Sequence, residues 1–128
     1  MSDIASFTHA GATLIGETWH PAQPASPGGE PPTYVLIHGI GMGRTIFADL
    51  VTHLRASSPA RVVAIDLPGY GEAPEPARVL TMERTADLIA AYLRSRSISR
   101  AVLVGHSMGT QVAVEVAARH PHSAEQLV

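Results

Sequence analysis

An α/β fold, with a mostly parallel sheet and helices on both faces, is predicted by three observations. Short, continuously apolar runs recur at Tyr34–Ile37, Val62–Ile65 and Ala101–Val104. Segments of helical period separate them, and turn residues punctuate the joins. Strands that are apolar throughout are buried on both faces, and intervening helices return the chain to a parallel neighbour.

The elements follow in order. From about Ser6 to His20, β-type residues (Phe7, Thr8, Thr13, Ile15, Thr18, Trp19) are broken at Ala10-Gly11, the pattern of a hairpin. Pro21 to Pro32 contains five prolines and the pair Gly28-Gly29, so it reads as an irregular surface connection. Then come a strand at Tyr34–Ile37, a helix at Ile46–Arg55, a strand at Val62–Ile65, a helix at Thr81–Arg94, a strand at Ala101–Val104 and a helix at Met108–His120. From Val79 to Leu93, apolar Leu80, Ala86, Leu88, Ile89 and Leu93 are interleaved with Glu83, Arg84 and Asp87, as in a half-buried helix. No internal repeat is present.

Composition narrows the class of function. A chain of 128 residues with 45% hydrophobic content is long enough for one compact domain and not obviously for two. Its net charge of −2, without a basic stripe, gives no footprint for nucleic acid or an acidic membrane. The absence of cysteine excludes disulfides and thiolate metal sites. The opening Met1–His9 has neither a basic start nor an apolar run, and nowhere do about 20 apolar residues stand together. A cytoplasmic protein without a membrane span, metal or cofactor is expected.

The chemistry concentrates in Gly105-His106-Ser107-Met108-Gly109, a G-x-S-x-G sequence between an apolar strand and a helix-prone run. This spacing suits a turn tight enough to force Ser107 into a strained conformation, with Gly105 and Gly109 avoiding the clash. The turn lifts the hydroxyl to the amino end of a helix, where the dipole and free N–H groups favour developing negative charge. The competing reading, a helix-capping serine in a Gly-flanked turn, is weaker.

A second strand runs into His38-Gly39-Ile40-Gly41-Met42-Gly43. Nucleotide binding is disfavoured: a dinucleotide fingerprint wants G-x-G-x-x-G, Arg44 stands where the last Gly belongs, and a P-loop needs a Lys. An oxyanion loop fits better, with the N–H groups of Ile40 and Met108 as its two donors and His38-Gly39 shaping the turn. Asp66, before Pro68, Gly69 and Gly71, is read as fixing a rigid turn instead of acting in catalysis.

Taken together, His38-Gly39, Asp66-Leu67-Pro68-Gly69-Tyr70-Gly71 and Gly105–Gly109 resemble the α/β-hydrolase superfamily, in order and spacing, over nearly the whole chain. The branch it resembles includes esterases, carbon–carbon bond hydrolases and non-metal haloperoxidases, which use a Ser nucleophile. Epoxide hydrolases and haloalkane dehalogenases carry Asp there, so Ser107 speaks against those two. The resemblance implies the N-terminal half of that fold, a small acyl or ester substrate, and a triad ordered Ser, acid, His.

Only 21 residues follow Ser107, filled by the predicted helix and by Pro121–Val128, which resembles the lead into the family's next strand. His120 and His122 lie at the far end of that helix, roughly 18 Å from the serine, too far to take its proton. His106 should point away and His38 should pack beneath the oxyanion loop. Residues 1–128 are therefore expected to be a partial domain that stops before the acid, the base and the lid, inactive alone but esterase-like in the complete protein. The alternative is a non-catalytic binding domain, or an inert remnant, of the same fold. If the chain ended at Val128, the strand at Ala101–Val104 would be an unpaired apolar edge inclined to aggregate.

Overall fold

Residues 1–21, 29 and 31–128 are described by the computed structural model. The β-type residues on either side of Ala10-Gly11 form β1 (Ser2–His9) and β2 (Ala12–Trp19), paired antiparallel from Ser2 opposite Trp19 to His9 opposite Ala12. The two-residue turn has positive φ at both positions, 51° at Ala10 and 81° at Gly11, which matches the twist of a hairpin. Most of the expected irregular connection falls on residues 22–28 and 30, outside the described residues; Pro21, Gly29, Pro31 and Pro32 lie outside helices and strands.

The three apolar runs become β3 (Thr33–Ile37), β4 (Arg61–Asp66) and β5 (Ala101–Gly105). Six strands form one sheet in the order β1-β2-β4-β3-β5-β6. β3 pairs in parallel with β4 and with β5, Val35 lying opposite both Val63 and Leu103, while β2 joins β4 antiparallel. The twofold alternation of a strand then sorts the side chains. Val35, Ile37, Val63, Ile65 and Leu103 face a core shared with the helices at Met82–Ser95 and Met108–Arg119, whereas Leu36, Val62 and Ala64 face one shared with the helix at Ala48–Ser57. Both faces are covered, which is why the strands carry no polar alternation.

α1 (Ala48–Ser57) begins two residues later than the period alone suggests, after a 3-10 turn at Arg44–Phe47. The Ile46 N–H donates to the Gly43 carbonyl at 3.2 Å, tightening the chain before the helix opens. α2 (Met82–Ser95) is capped by Thr81, whose hydroxyl accepts from the Arg84 N–H at 3.1 Å. Val79 and Leu80, counted into the amphipathic pattern, therefore precede the helix; Val79 is exposed and Leu80 packs against the core. α3 (Met108–Arg119) ends at His120.

One expectation is corrected. β5 is not a sheet edge, because Ala124–Leu127 forms β6 and pairs with it in parallel. The outer strand among the described residues is β6, which is mostly exposed and carries Glu125 and Gln126, so the apolar β5 is shielded on both sides. No helix among the described residues is long and apolar enough to cross a membrane.

Candidate active site

β5 ends at Gly105 and α3 begins at Met108, so two residues must reverse the chain from strand to helix. The strain falls on Ser107, with φ 57° and ψ −122°, a combination far from any ordinary well for a residue with a Cβ. Such a conformation costs about 1–3 kcal/mol and persists only where its surroundings enforce it. The flanking glycines do so. A Cβ on Gly105 would sit 2.5 Å from the Gly109 carbonyl oxygen, and one on Gly109 would sit 2.0 Å from the Ile37 carbonyl oxygen. The His106 N–H donates to Ile37 O at 3.0 Å, tying the turn to the end of β3.

Ser107 stands at the N-cap position of α3, yet its side chain caps nothing. It is exposed and held up from the helix end. The helix-capping reading of this serine therefore finds no hydrogen bond to support it.

The loop leaving β3 runs directly past this hydroxyl. A Cβ on Gly39 would lie 2.9 Å from Ser107 Cβ and 3.3 Å from its Oγ, so only glycine lets the two segments approach this closely. The Met42 N–H closes a turn onto the Gly39 carbonyl at 3.2 Å. Among the turns and caps of the described residues, neither the Ile40 N–H nor the Met108 N–H donates to a protein carbonyl. Both proposed oxyanion donors are thus unused.

The loop is fastened at both ends to the chain that leaves β4. At its start, His38 is fully buried; its Nε2 accepts from the Leu67 N–H at 3.0 Å. The other nitrogen, Nδ1, must then carry the hydrogen, and it donates to Gly39 O at 2.8 Å. The ring also meets Tyr70 edge to face, with centroids 5.2 Å apart. With both nitrogens engaged, His38 supports the loop and does not face Ser107 as a base.

At the loop's far end, Arg44 is buried among three carboxylates. Its N–H donates to Asp66 Oδ1 at 2.7 Å and its Nη1 to Asp66 Oδ2; Nε reaches Glu17 at 3.0 Å and Nη2 reaches Glu72 at 2.8 Å. Burial works against the guanidinium charge, but Glu72, Glu17 and Asp66 outweigh it and hold Arg44 above its ordinary range. Asp66 also accepts from the Glu72 N–H at 3.2 Å, so it anchors its turn as expected. Arg44 itself carried no signal: its partners lie more than twenty residues away in sequence, and only folding brings them together.

The remaining histidines lie elsewhere. His106 is exposed beside Ser107, and His122 is exposed in a short 3-10 turn. At the opposite end of α3 from Ser107, His120 Nε2 meets Asp87 Oδ1 at 2.7 Å while Arg119 grips both oxygens of Asp87. Bonds from Arg119 and then His120 push the Asp87 carboxyl down to about 2. No imidazole among the described residues is placed to take a proton from Ser107.

Residues 34–128 match the model of a family described as the alpha/beta hydrolase family. Over 92 residues the chain is 42% identical to a pimeloyl-[acyl-carrier protein] methyl ester esterase of Neisseria meningitidis serogroup A, covering 72% of this chain and 27% of that protein. Over 100 residues it is 31% identical to a 2-(acetamidomethylene)succinate hydrolase of Mesorhizobium japonicum, covering 78% and 35%. Among solved structures it is similar to an N-acyl homoserine lactonase complexed with N-hexanoyl homoserine, with TM-score 0.77, 25% identity, and coverage of 96% of this chain and 42% of the other. The chain spans about a third of the length of these curated relatives.

Proposed function

Because the chain belongs to the α/β-hydrolase family, we propose that it carries the nucleophile and oxyanion donors of a serine hydrolase acting on an ester or related acyl bond of a small molecule. The observation that carries this reading is the strained, exposed and uncapped Ser107 pressed against Gly39. Strain of this kind concentrates where function demands it. The names of the relatives, an acyl methyl ester esterase and an acyl lactonase, point to the same bond class.

In this mechanism Ser107 Oγ attacks the substrate carbonyl carbon as its proton passes to a general base. The carbonyl oxygen becomes an oxyanion and accepts hydrogen bonds from the Ile40 and Met108 N–H groups, with the amino end of α3 adding a favourable dipole. Collapse expels the alcohol with a proton from the base and leaves an acyl-Ser107 ester. Water, deprotonated by the same base, then attacks that ester and releases the acid. The base and the acid that orients it come from outside the described residues, so the 128 residues alone are expected to turn over poorly.

The test is Ser107→Ala in the whole protein, assayed with p-nitrophenyl acetate and a fluorophosphonate probe. Loss of both turnover and labelling is expected. Unchanged activity would overturn the reading and favour a binding domain that has kept only the fold.

A further inference from the structure

We propose that β1 is an association edge through which two copies of the protein join their sheets antiparallel; the inference stands apart from the serine-hydrolase reading. β1 ends the strand order, and no other strand among the described residues lies on its outer side. Its eight residues, Ser2–His9, run opposite β2 without a bulge. The sheet sets the direction of their backbone groups. On the β3 side of β4 the Arg61 N–H donates to Pro32 O at 2.9 Å, so Val62, Ala64 and Asp66 bond toward β2, opposite Trp19, Glu17 and Ile15. That leaves Leu14, Gly16 and Thr18 to bond with Phe7, Ala5 and Asp3. The N–H and C=O groups of Ile4, Ser6 and Thr8 therefore point outward, with no strand among the described residues to meet them. Soluble proteins blunt such edges with Lys, Pro or a bulge. β1 has none of these, and Ile4, 57% exposed, stands near its middle.

A second copy fits this edge because the strand complements itself. A twofold axis through the strand pairs like edges antiparallel in a closed contact. Because the outward groups belong to even-numbered residues, hydrogen-bonded pairs must join even with even. The two longest registers are centred on Ala5 and on Ser6. With Ala5 at the centre, Asp3 meets the Phe7 ring and His9 overhangs. With Ser6 at the centre, Ile4 and Thr8 form hydrogen-bonded pairs, small Ala5 faces bulky Phe7, and Asp3 faces His9 at both ends. The last two are non-hydrogen-bonded pairs, where side chains come closest, and the imidazole has an N–H to donate to the carboxylate. Both groups are exposed, and His9 lies against Phe7 with ring planes 7° apart and centroids 6.5 Å apart. On its own chain Asp3 uses Oδ2 to meet His20 at 3.3 Å, and its Oδ1 has no hydrogen bond among the described residues. Charge and size therefore both select the Ser6-centred register.

Sedimentation equilibrium of the whole protein tests this between about 1 and 300 µM, where small interfaces associate. A monomer–dimer equilibrium is expected. Ser6→Pro removes an N–H that points away from β2, a place where an edge strand tolerates proline, and should leave a folded monomer. Asp3→Lys and His9→Asp should each weaken the dimer about tenfold or more, since each sets like charges or poor partners opposite one another at both ends. The double variant Asp3→Lys/His9→Asp exchanges the two members and should recover the parent dissociation constant to within about threefold. Circular dichroism checks that each variant folds; if Ser6→Pro does not, the Asp3 and His9 variants decide. A parent that stays monomeric throughout, or a dimer that neither Ser6→Pro nor the single charge variants weaken, overturns the proposal. A dimer lost in the single variants and not recovered in the double one overturns the Ser6-centred register.

Discussion

The Leu67 N–H donates to Nε2 of fully buried His38 at 3.0 Å, so one imidazole joins the start of the Gly39 loop to the chain leaving β4. Removing the ring leaves a buried donor without an acceptor and a void beneath the loop. His38→Ala should therefore destabilise the protein by about 2–4 kcal/mol, read from its urea midpoint. His38→Gln offers an amide oxygen in the same region and should recover part of the loss. Equal midpoints for both variants and the parent would show that this bond contributes nothing.

Gly39→Ala probes the role proposed for Ser107 with little effect on the core. The new Cβ would meet Ser107 Cβ at 2.9 Å, so either the loop or the serine must give way. A displacement approaching 1 Å at a reacting group costs on the order of 100-fold in rate. A fall of that size in kcat, with the thermal midpoint nearly unchanged, is expected. Full activity would mean that the loop does not hold its donors against Ser107.

Arg44→Met leaves Asp66 buried without its cation and should cost about 3–5 kcal/mol. Arg44→Lys keeps a charge but loses the fork that reaches Glu17, Asp66 and Glu72 together, and should fall between the two. If the Arg44→Lys protein is as stable as the parent, charge alone suffices and the fork geometry is unimportant. In both variants kcat should drop more than KM changes if the loop carries the oxyanion donor proposed at Ile40.

Asp87 links α2 to the carboxyl end of α3 and titrates at about 2, below the ordinary carboxyl value of roughly 3.9. A depressed acid contributes stability that is present above the unfolded value and is lost as pH falls through the folded one. The parent should thus exceed Asp87→Asn in urea midpoint at neutral pH, with the gap closing between about pH 4 and pH 2. The pair is partly exposed, so salt should shrink the gap as well. A gap independent of pH would remove the carboxylate from the account.

The strands and the serine turn were legible because each is encoded locally. Val35, Val63 and Leu103 sit in runs whose apolar character is set by burial on both faces, and Gly105 and Gly109 are dictated by clashes within a few residues. The Arg44 cluster was not legible, since Glu17, Asp66 and Glu72 converge on it only through the sheet order and the loop path. The helix called from Thr81 starts one residue on, at Met82, while Leu80 fell into the amphipathic pattern because it is apolar for packing against the core and not for a helix. β6 escaped notice as a strand because pairing with β5, not side-chain pattern, makes Ala124–Leu127 extended.

The strand order holds one more consequence. From β3 the chain leaves by way of α1 toward β4 on one side, and from the neighbouring β5 it leaves by way of α3 toward β6 on the other. Connections that depart in opposite directions from neighbouring strands leave a gap between the carboxyl ends of β3 and β5 that neither crossover fills. The Gly39 loop and Ser107 border that gap, so the corner that brings them together is a by-product of how the sheet is wound. Changes to the tips of these loops can then alter chemistry while the winding, and the gap with it, stays the same.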